Sequence, residues 1–478
     1  MSKSKSRGCC GIAFDSEFIY IYIYISIYIY IYTMLRERTE TENTHAIALY
    51  NILDADLSSK GLKIEYAKHA SDGDISVASV QYPVHEAEKE IIENWRQRLL
   101  KLAYGDAQRF KRLKVLINPY GGKGSAAKLY QTNAAPVFDA AKCVVDVQHT
   151  THGGHATEIA EQMDIDAYDA IVCCSGDGLP YEVFNGLGRR RDACRALNNV
   201  AVAMIPCGSG NAMAWNLSGT ESVSVTALTI VKGLRSPIDL MSITQGDKRT
   251  LSFLTQSFGM VAECDLATED MRWTGAHRFT IGFFIRLLRK TVWPCDLAMK
   301  VELDDKKAIK HHYATHVHKN PDRRRRLSRN SGSDKALPPL KYGTVMDRLA
   351  DDWQIIRGGE KTGLFYAGNM AIVSKDTNFF PAALPSDGLM DVVVVDGTVP
   401  RLTTLKMMDE VAKGDFFNMP EVHCWKVAAY RLTPHQKEGY ISVDGESVPF
   451  EPFQVEIHPR LGTVLSKSGY MYEADGPT

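Results

Sequence analysis

The sequence predicts a three-layer α/β domain with a parallel sheet, followed by a mainly antiparallel β-sandwich. Three observations carry this. Between Val115 and Ala212 the chain three times runs an apolar strand-like stretch into a glycine-rich polar turn and then a helix-like stretch. Beyond Leu251 the apolar pattern changes to period two, with turns at Asp387-Gly388, Asp396-Gly397 and Asp444-Gly445, as expected of antiparallel strands. At 478 residues the chain is also too long for one hydrophobic core.

The elements follow in order. Residues 1–43 read as an unstructured leader. Within it, residues 19–32 alternate Ile and Tyr, broken only by Ser26. As protein this is strand-like, aggregation-prone material. A TA dinucleotide repeat also translates to Ile-Tyr-Ile-Tyr, which suggests a mispredicted gene start. The run is too short for a membrane-spanning helix and lacks the flanks of a signal peptide. Residues 44–105 form an N-terminal extension: apolar runs at 46–53, 62–66 and 77–84, then a helical stretch at 86–102 with Trp95, Leu99, Leu100 and Leu102. Strands closed by one amphipathic helix suggest a pleckstrin-homology-like module, the alternative being an extension packed on the core.

Residues 112–246 carry the α/β alternation, with strands predicted at 114–118, 144–148, 170–175 and 200–206 and helices from Ser125 and over 155–163. Residues 247–470 are the β-rich part, with strands at 297–303, 363–367, 389–395, 426–432, 440–443 and 453–458. They hold an insertion, 319–340, rich in Arg, Ser and Pro, which reads as a disordered loop. There the run Arg323–Arg326 precedes Ser328, a pattern that basophilic kinases accept.

A net charge of −1 gives no global attraction to nucleic acid or anionic membrane. Ten cysteines without CxxC pairs, some inside apolar runs (Cys173, Cys174), fit reduced thiols in a cytosolic protein. His311, His312, His316 and His318 border the insertion without a carboxylate or thiol set and read as bystanders on a strand edge.

The glycine turns carry the chemistry. In an open α/β sheet, ligands bind beyond the carboxyl ends of the strands, so three such loops converge on one crevice. Glycines let backbone N–H groups approach an anion closely, and helix N-termini add favourable charge. The loop Gly121-Gly122-Lys123-Gly124 is not a Walker A sequence, because no Lys-Ser/Thr closes the frame. Ser175-Gly176-Asp177-Gly178 is more specific, an acid flanked by glycines at a strand end. Its bland reading is an N-cap for the helix starting near Pro180. Gly208-Ser209-Gly210-Asn211 has the same logic, and its bland reading is a turn capped by Ser209 or Asn211. These features read as a nucleotide-phosphate site.

Five ordered motifs resemble those of the diacylglycerol kinase catalytic fold and, within it, the sphingosine or long-chain-base kinases of fungal type. They are residues 118–124, 175–185 and 206–212, then Gly259-Met260-Val261-Ala262-Glu263-Cys264-Asp265-Leu266 running into Arg272 and Arg278, and Val443-Asp444-Gly445-Glu446. The likeness covers residues 112–470 and implies a Rossmann-like kinase domain. It implies ATP binding by Asn118, Pro119, Tyr120, Gly121, Gly122, Lys123, Gly124, Thr150, Thr151, His152, Gly153, Gly154, Glu182, Gly208, Ser209, Gly210, Arg272, Arg278, Asp444, Gly445 and Glu446. Substrate binding falls to Ser175, Gly176, Asp177, Gly178, Thr255 and Asp265.

Under that resemblance Asp177 is the general base for a lipid's primary hydroxyl. Asp265 pairs with the ammonium of a sphingoid base, with Glu263 as its rival, since on a strand the two would share a face. Magnesium accompanies ATP, and the metal ligands are unknown. The apolar and basic stretch 271–290 reads either as a buried helix or as a gate touching membrane. The implied partners are a sphingoid base and the membrane surface, reached peripherally from the cytosol, with a homodimer as an option and no nucleic acid. A diacylglycerol or ceramide kinase is the enzyme alternative, with an NAD-kinase-like enzyme more distant. A lipid-binding adaptor with an inactive kinase fold is the non-enzyme alternative.

Overall fold

The computed structural model describes residues 47–121, 124–266, 292–319 and 335–477. The leader with its Ile-Tyr run, Gly122, Lys123, Arg272, Arg278 and Ser328 lie outside them, as do the side chains of Asp265 and His318. The chain divides into two units, one reaching Gly105 and one holding nearly everything after it.

The first unit contains strands β1 (Ile52–Ser58), β2 (Gly61–His69) and β3 (Ile75–Tyr82), paired in that order, and helix α1 (Lys89–Tyr104). The apolar run at 46–53 is not a strand throughout. It passes through a 3-10 turn at Leu49–Asn51 before β1 begins. Tyr104 at the end of α1 donates to the carbonyl of Leu53, and the Arg96 guanidinium donates to that of Ala55, so the helix closes on β1.

The second unit opens with β4 (Arg112–Ile117), α2 (Ala126–Leu129), a π-helical turn (Tyr130–Ala134) and α3 (Ala135–Ala140). Then come β5 (Val144–His149), α4 (His155–Gln162), β6 (Ala170–Ser175), α5 (Gly178–Arg189), α6 (Ala193–Asn199), β7 (Ala201–Pro206), α7 (Ala212–Ser218) and α8 (Val223–Lys232). Strands β7, β6, β4 and β5 pair in parallel in that order. Every residue of β6 and β7 is buried, as expected of central parallel strands covered on both faces, whereas the edge strand β5 is largely exposed.

The chain continues through β8 (Leu234–Gln245), β9 (Lys248–Ser252), β10 (Thr255–Gly259), α9 (Met260–Leu266), β11 (Cys295–Leu303), α10 (Lys306–Lys319), β12 (Gln354–Ile356) and β13 (Thr362–Gly368). After the hairpin β14 (Ile372–Ser374) and β15 (Thr377–Asn378) come β16 (Met390–Asp396), α11 (Arg401–Lys413), β17 (Val422–Pro434), β18 (Ile441–Val443), β19 (Glu446–Val448) and β20 (Phe453–Ser466). The neighbours of β10, β13, β16 and β17 are antiparallel, as the period-two pattern requires. Strand β20 joins the two patterns. Its first half pairs with β17, its register slips between His458 and Gly462, and its second half meets β7 in parallel at Val464↔Val202.

The histidines at 311–318 are on helix α10, not on a strand edge. A helical spacing of four brings the rings of His312 and His316 to 4.2 Å. His312 also lies 3.0 Å from Asp387, which shares the fully buried Lys426 with Asp391 at 3.2 and 2.9 Å. Alternation alone could not reveal that anchor. Glu263 and Asp265 likewise lie in α9, not on a strand, so the shared-face argument for them does not apply.

Candidate functional site

The three glycine turns follow β4, β6 and β7, and the parallel register aligns the ends of those strands. The turns touch. A side chain built on Gly121 would lie 3.6 Å from the Cα of Ser175, and one on Gly208 would lie 2.3 Å from the Cα of Gly176. Asn211 closes the third turn. It sits in the left-handed region at φ 54°, accepts from the N–H of Gly208 at 2.8 Å and donates to the Gly208 carbonyl at 3.1 Å.

Asp177 caps a helix, but not its own. Its two carboxylate oxygens each accept one bond, from the N–H of Ala212 and of Met213, both at 3.0 Å, at the start of α7. Neither Ser209 nor Asn211 supplies that cap. Burial pushes the Asp177 carboxyl above its ordinary range, against the opposing pull of the N–H groups around it. A carboxylate oxygen has two lone pairs, so each keeps accepting capacity while capping. The acid is therefore held rigidly at the meeting point of two loops and raised in basicity.

The other carboxylates also tie segments together. Glu182 accepts from the N–H of Ala156 at 3.0 Å, fastening α5 to the first turn of α4. Asp444 is buried and accepts from the Ser252 hydroxyl and from three successive backbone N–H groups, of Phe253, Leu254 and Thr255. It adopts φ 51°, which turns β18 into β19 and swings Glu446 back to Gly178, where an added side chain would lie 2.7 Å from its carboxylate. Asn185 and Gly186 have packing roles: Asn185 bonds both backbone groups of Leu251, and Gly186 lets α5 approach the carbonyl of Thr157.

Burial pushes the Asp444 carboxyl up to about 6, above its value in an unfolded chain. The folded state then holds that proton more tightly, so this group's contribution to stability falls as pH rises from about 4 to about 6. Asp444→Asn removes the titration. The stability cost of this substitution should therefore be larger at pH 5 than at pH 7, as read from paired denaturant curves. An equal cost at both would contradict the raised value.

One cavity of about 780 Å³ joins these parts. Its polar lining includes Asn118, Tyr120, Gly121, residues 175–178, Glu182, residues 208–210 and residues 444–446. Its apolar lining includes Leu254, Met260, Val261, Leu364, Phe379, Met408 and Val411. Thr255 also lines it. Pro119, Gly124 and residues 150–154 are not among its lining residues. Thr150 is buried, with its N–H bonded to the carbonyl of Ile117, so that loop runs beside residues 118–121 and outside the cavity. Sequence reasoning missed Tyr366, the turn at Lys375 and Asp376, and helix α11, all of which line the cavity. Their period-two or amphipathic patterns look like ordinary core.

Comparisons with known proteins bear on the same segments. Residues 112–243 match the model of the diacylglycerol kinase catalytic domain, and residues 356–466 match the YegS C-terminal NAD kinase beta sandwich-like domain. Residues 1–105 match a domain of unknown function. Sphingoid long chain base kinase 5 of Saccharomyces cerevisiae is 37% identical, over 79% of this chain and 62% of that protein. Sphingoid long chain base kinase 4 of Schizosaccharomyces pombe is 38% identical, over 77% of this chain and 78% of that one. Sphingosine kinase 1 of Homo sapiens is 29% identical, over 74% and 91%. The crystal structure of a candidate diacylglycerol kinase from Bacillus anthracis str. Sterne shares the fold at a TM-score of 0.50 and 17% identity, over 75% of this chain and 98% of that one.

Proposed function

Because the chain belongs to the sphingoid long-chain-base kinase family, whose members are lipid kinases that use ATP, we propose that it phosphorylates the primary hydroxyl of a sphingoid base. One observation carries the reading: a single cavity joins the glycine loops and Asp177 to an apolar wall. A nucleotide phosphate and an alkyl chain need those two environments side by side.

In this reading the phosphates lie on the turns at Gly121, Gly176 and Gly208–Gly210, whose N–H groups and adjoining helix start favour anions. Asp177 accepts the proton of the lipid hydroxyl as the phosphoryl group moves to its oxygen, a contribution of about 10²–10⁴-fold. Its two capping bonds fix its direction. Arg272 and Arg278 supply positive charge to the transferring group, and Asp265 pairs with the ammonium of the base.

Magnesium fits here as a companion of the phosphates. Among the described residues no three His, Cys, Asp or Glu side chains gather to hold a metal, whereas Mg²⁺ commonly takes one or two carboxylates, water and phosphate oxygens. Glu446 lies beside Gly178 and Asp177 beside Gly210, and the ion would neutralise charge on the phosphates. No helix among the described residues is long and apolar enough to cross a membrane. In this reading the lipid is taken from the membrane surface, where such a substrate resides.

The test offers the purified protein labelled ATP with sphingosine, phytosphingosine, ceramide and diacylglycerol side by side. Phosphorylation of the free bases alone is expected. Equal or greater labelling of diacylglycerol or ceramide would replace the reading with one of those activities. In the same assay Asp265→Asn should raise the Michaelis constant for the bases by about ten- to a hundredfold, the loss of one charge-assisted hydrogen bond, with that for ATP almost unchanged. A selective lipid defect in Glu263→Gln instead would move the amine contact there.

A further inference from the structure

We propose that Lys375, at the tip of the β14–β15 hairpin, is a nucleotide-binding residue whose ammonium pairs with the phosphates of ATP at their reacting end. This inference rests on the kinase reading above. Among the described residues, Lys375 is the one cation that lines the cavity, against the carboxylates of Asp177, Glu182, Asp376, Asp444 and Glu446. Backbone N–H groups at the glycine turns offer partial charges, whereas phosphoryl groups in transfer are ordinarily clamped by Lys, Arg or a metal ion. In that reading Lys375 adds to the charge brought by Arg272 and Arg278. No sequence motif marks it, because it stands in a tight turn between two short strands.

Position supports this use. Asn216 of α7 is fully buried, donates to the Ile372 carbonyl at 2.6 Å and accepts from the Ile372 N–H at 3.1 Å. Helix α7 follows the Gly208–Gly210 turn and is capped by Asp177, so β14 is fixed to the same element as the acid. A side chain built on Gly210 would lie 3.6 Å from the Val373 carbonyl oxygen and 3.3 Å from the Asp177 carboxylate. Val373 and Asp177 therefore flank one turn, and Lys375 comes two residues after Val373. The flexible four-carbon stem of a lysine lets its ammonium search the space over that turn.

The backbone at Lys375 is pinned, while its head group is only loosely held. Asp376 adopts φ 54°, the Ser374 hydroxyl donates to that of Thr377 at 2.9 Å, and the Thr377 hydroxyl donates to the Lys375 carbonyl at 3.0 Å. The ammonium pairs with Glu221, on the link between α7 and α8, at 3.2 Å. The two side chains are 55% and 45% exposed, and an exposed pair of this kind is weak and screened by salt. A polyphosphate carries more charge than one carboxylate and draws the ammonium away from it.

The experiment measures equilibrium binding of ATP with magnesium, and of AMP, to the purified full chain. Lys375→Gln should weaken ATP binding by about tenfold, the loss of one charge-assisted contact, and leave AMP binding unchanged. Lys375→Arg, which keeps the charge, should retain most of the ATP affinity. Glu221→Gln breaks the same surface pair but leaves the ammonium in place, so ATP should bind it at least as tightly as the wild type. Unchanged ATP affinity in Lys375→Gln, or equal losses for ATP and AMP, would overturn the inference while leaving the kinase reading intact. So would a Glu221→Gln protein as weak for ATP as Lys375→Gln, since the pair itself would then be what matters. A wild-type protein that binds neither nucleotide would instead remove the kinase reading.

Discussion

Asp177→Asn should lower turnover by about 10²-fold or more, the scale of a lost general base. The substitution is not a silent isostere. In the native site each carboxylate oxygen accepts from a different backbone N–H, of Ala212 and of Met213. Asparagine keeps one acceptor oxygen and turns an NH₂ group toward the other donor. About 1 kcal/mol of capping stability should go with it, the usual worth of an N-cap. The two roles of Asp177 are thereby separable in one preparation. Loss of proton acceptance alone lowers kcat with little change in the ATP constant. Loss of the cap alone lowers the melting temperature and loosens ATP binding, because α7 starts from the Gly208–Gly210 turn. The expected result is a large fall in kcat with a small fall in melting temperature. Near-normal turnover would remove Asp177 from the base role. The raised carboxyl also sets the pH behaviour: activity of the wild-type protein should fall on the acid side at a pH above the ordinary carboxylate range, where Asp177 takes up its proton.

That double role marks the limit of what the sequence discloses. The run of residues 170–175 forms β6 with the predicted bounds, because a short fully apolar stretch between turn signals leaves few alternatives. The glycine turns pointed to one shared crevice for a similar reason: little else calls for backbone exposed at three strand ends, and the turns do meet there. The bland reading of Asp177 as a cap was half right, and no local pattern could say that the capped helix begins 35 residues later. The same holds for Asp444, whose partners are residues 252–255, and for Glu182 with Ala156. In each case the carboxylate fastens a segment remote in sequence, and only the fold supplies the partner. Tyr366 was hidden for a different reason: within a buried strand a tyrosine is indistinguishable from core until a cavity is found beside it. The α10 histidines misled because a polar segment next to an insertion carries no strong period, so the helix rests on tertiary anchors such as Asp387.

Gly208→Ala should be as damaging as loss of Asp177, and by geometry alone. A methyl group there would lie 2.3 Å from the Cα of Gly176 and 2.8 Å from its nitrogen, backbone against backbone, where no rotamer change can relieve the contact. Carbon atoms prefer a separation of about 3.5–4.0 Å, so the two loops must part by more than about 1 Å. Misplacement of that size costs about 10²-fold in rate, and overpacking costs about 1–3 kcal/mol in stability. The expected outcome is a fall in kcat/KM for ATP of at least that order, together with a lower melting temperature. Gly176→Ala is the matched control. Its methyl would meet only the Cα of Gly208, at 3.4 Å, within ordinary contact. Its melting temperature should therefore stay near that of the wild type, although the two glycines look equivalent in the sequence. If Gly208→Ala instead kept both the wild-type melting temperature and the wild-type ATP constant, the loops would be free to separate at no cost. Their contact could then not be what sets the width of the crevice between them.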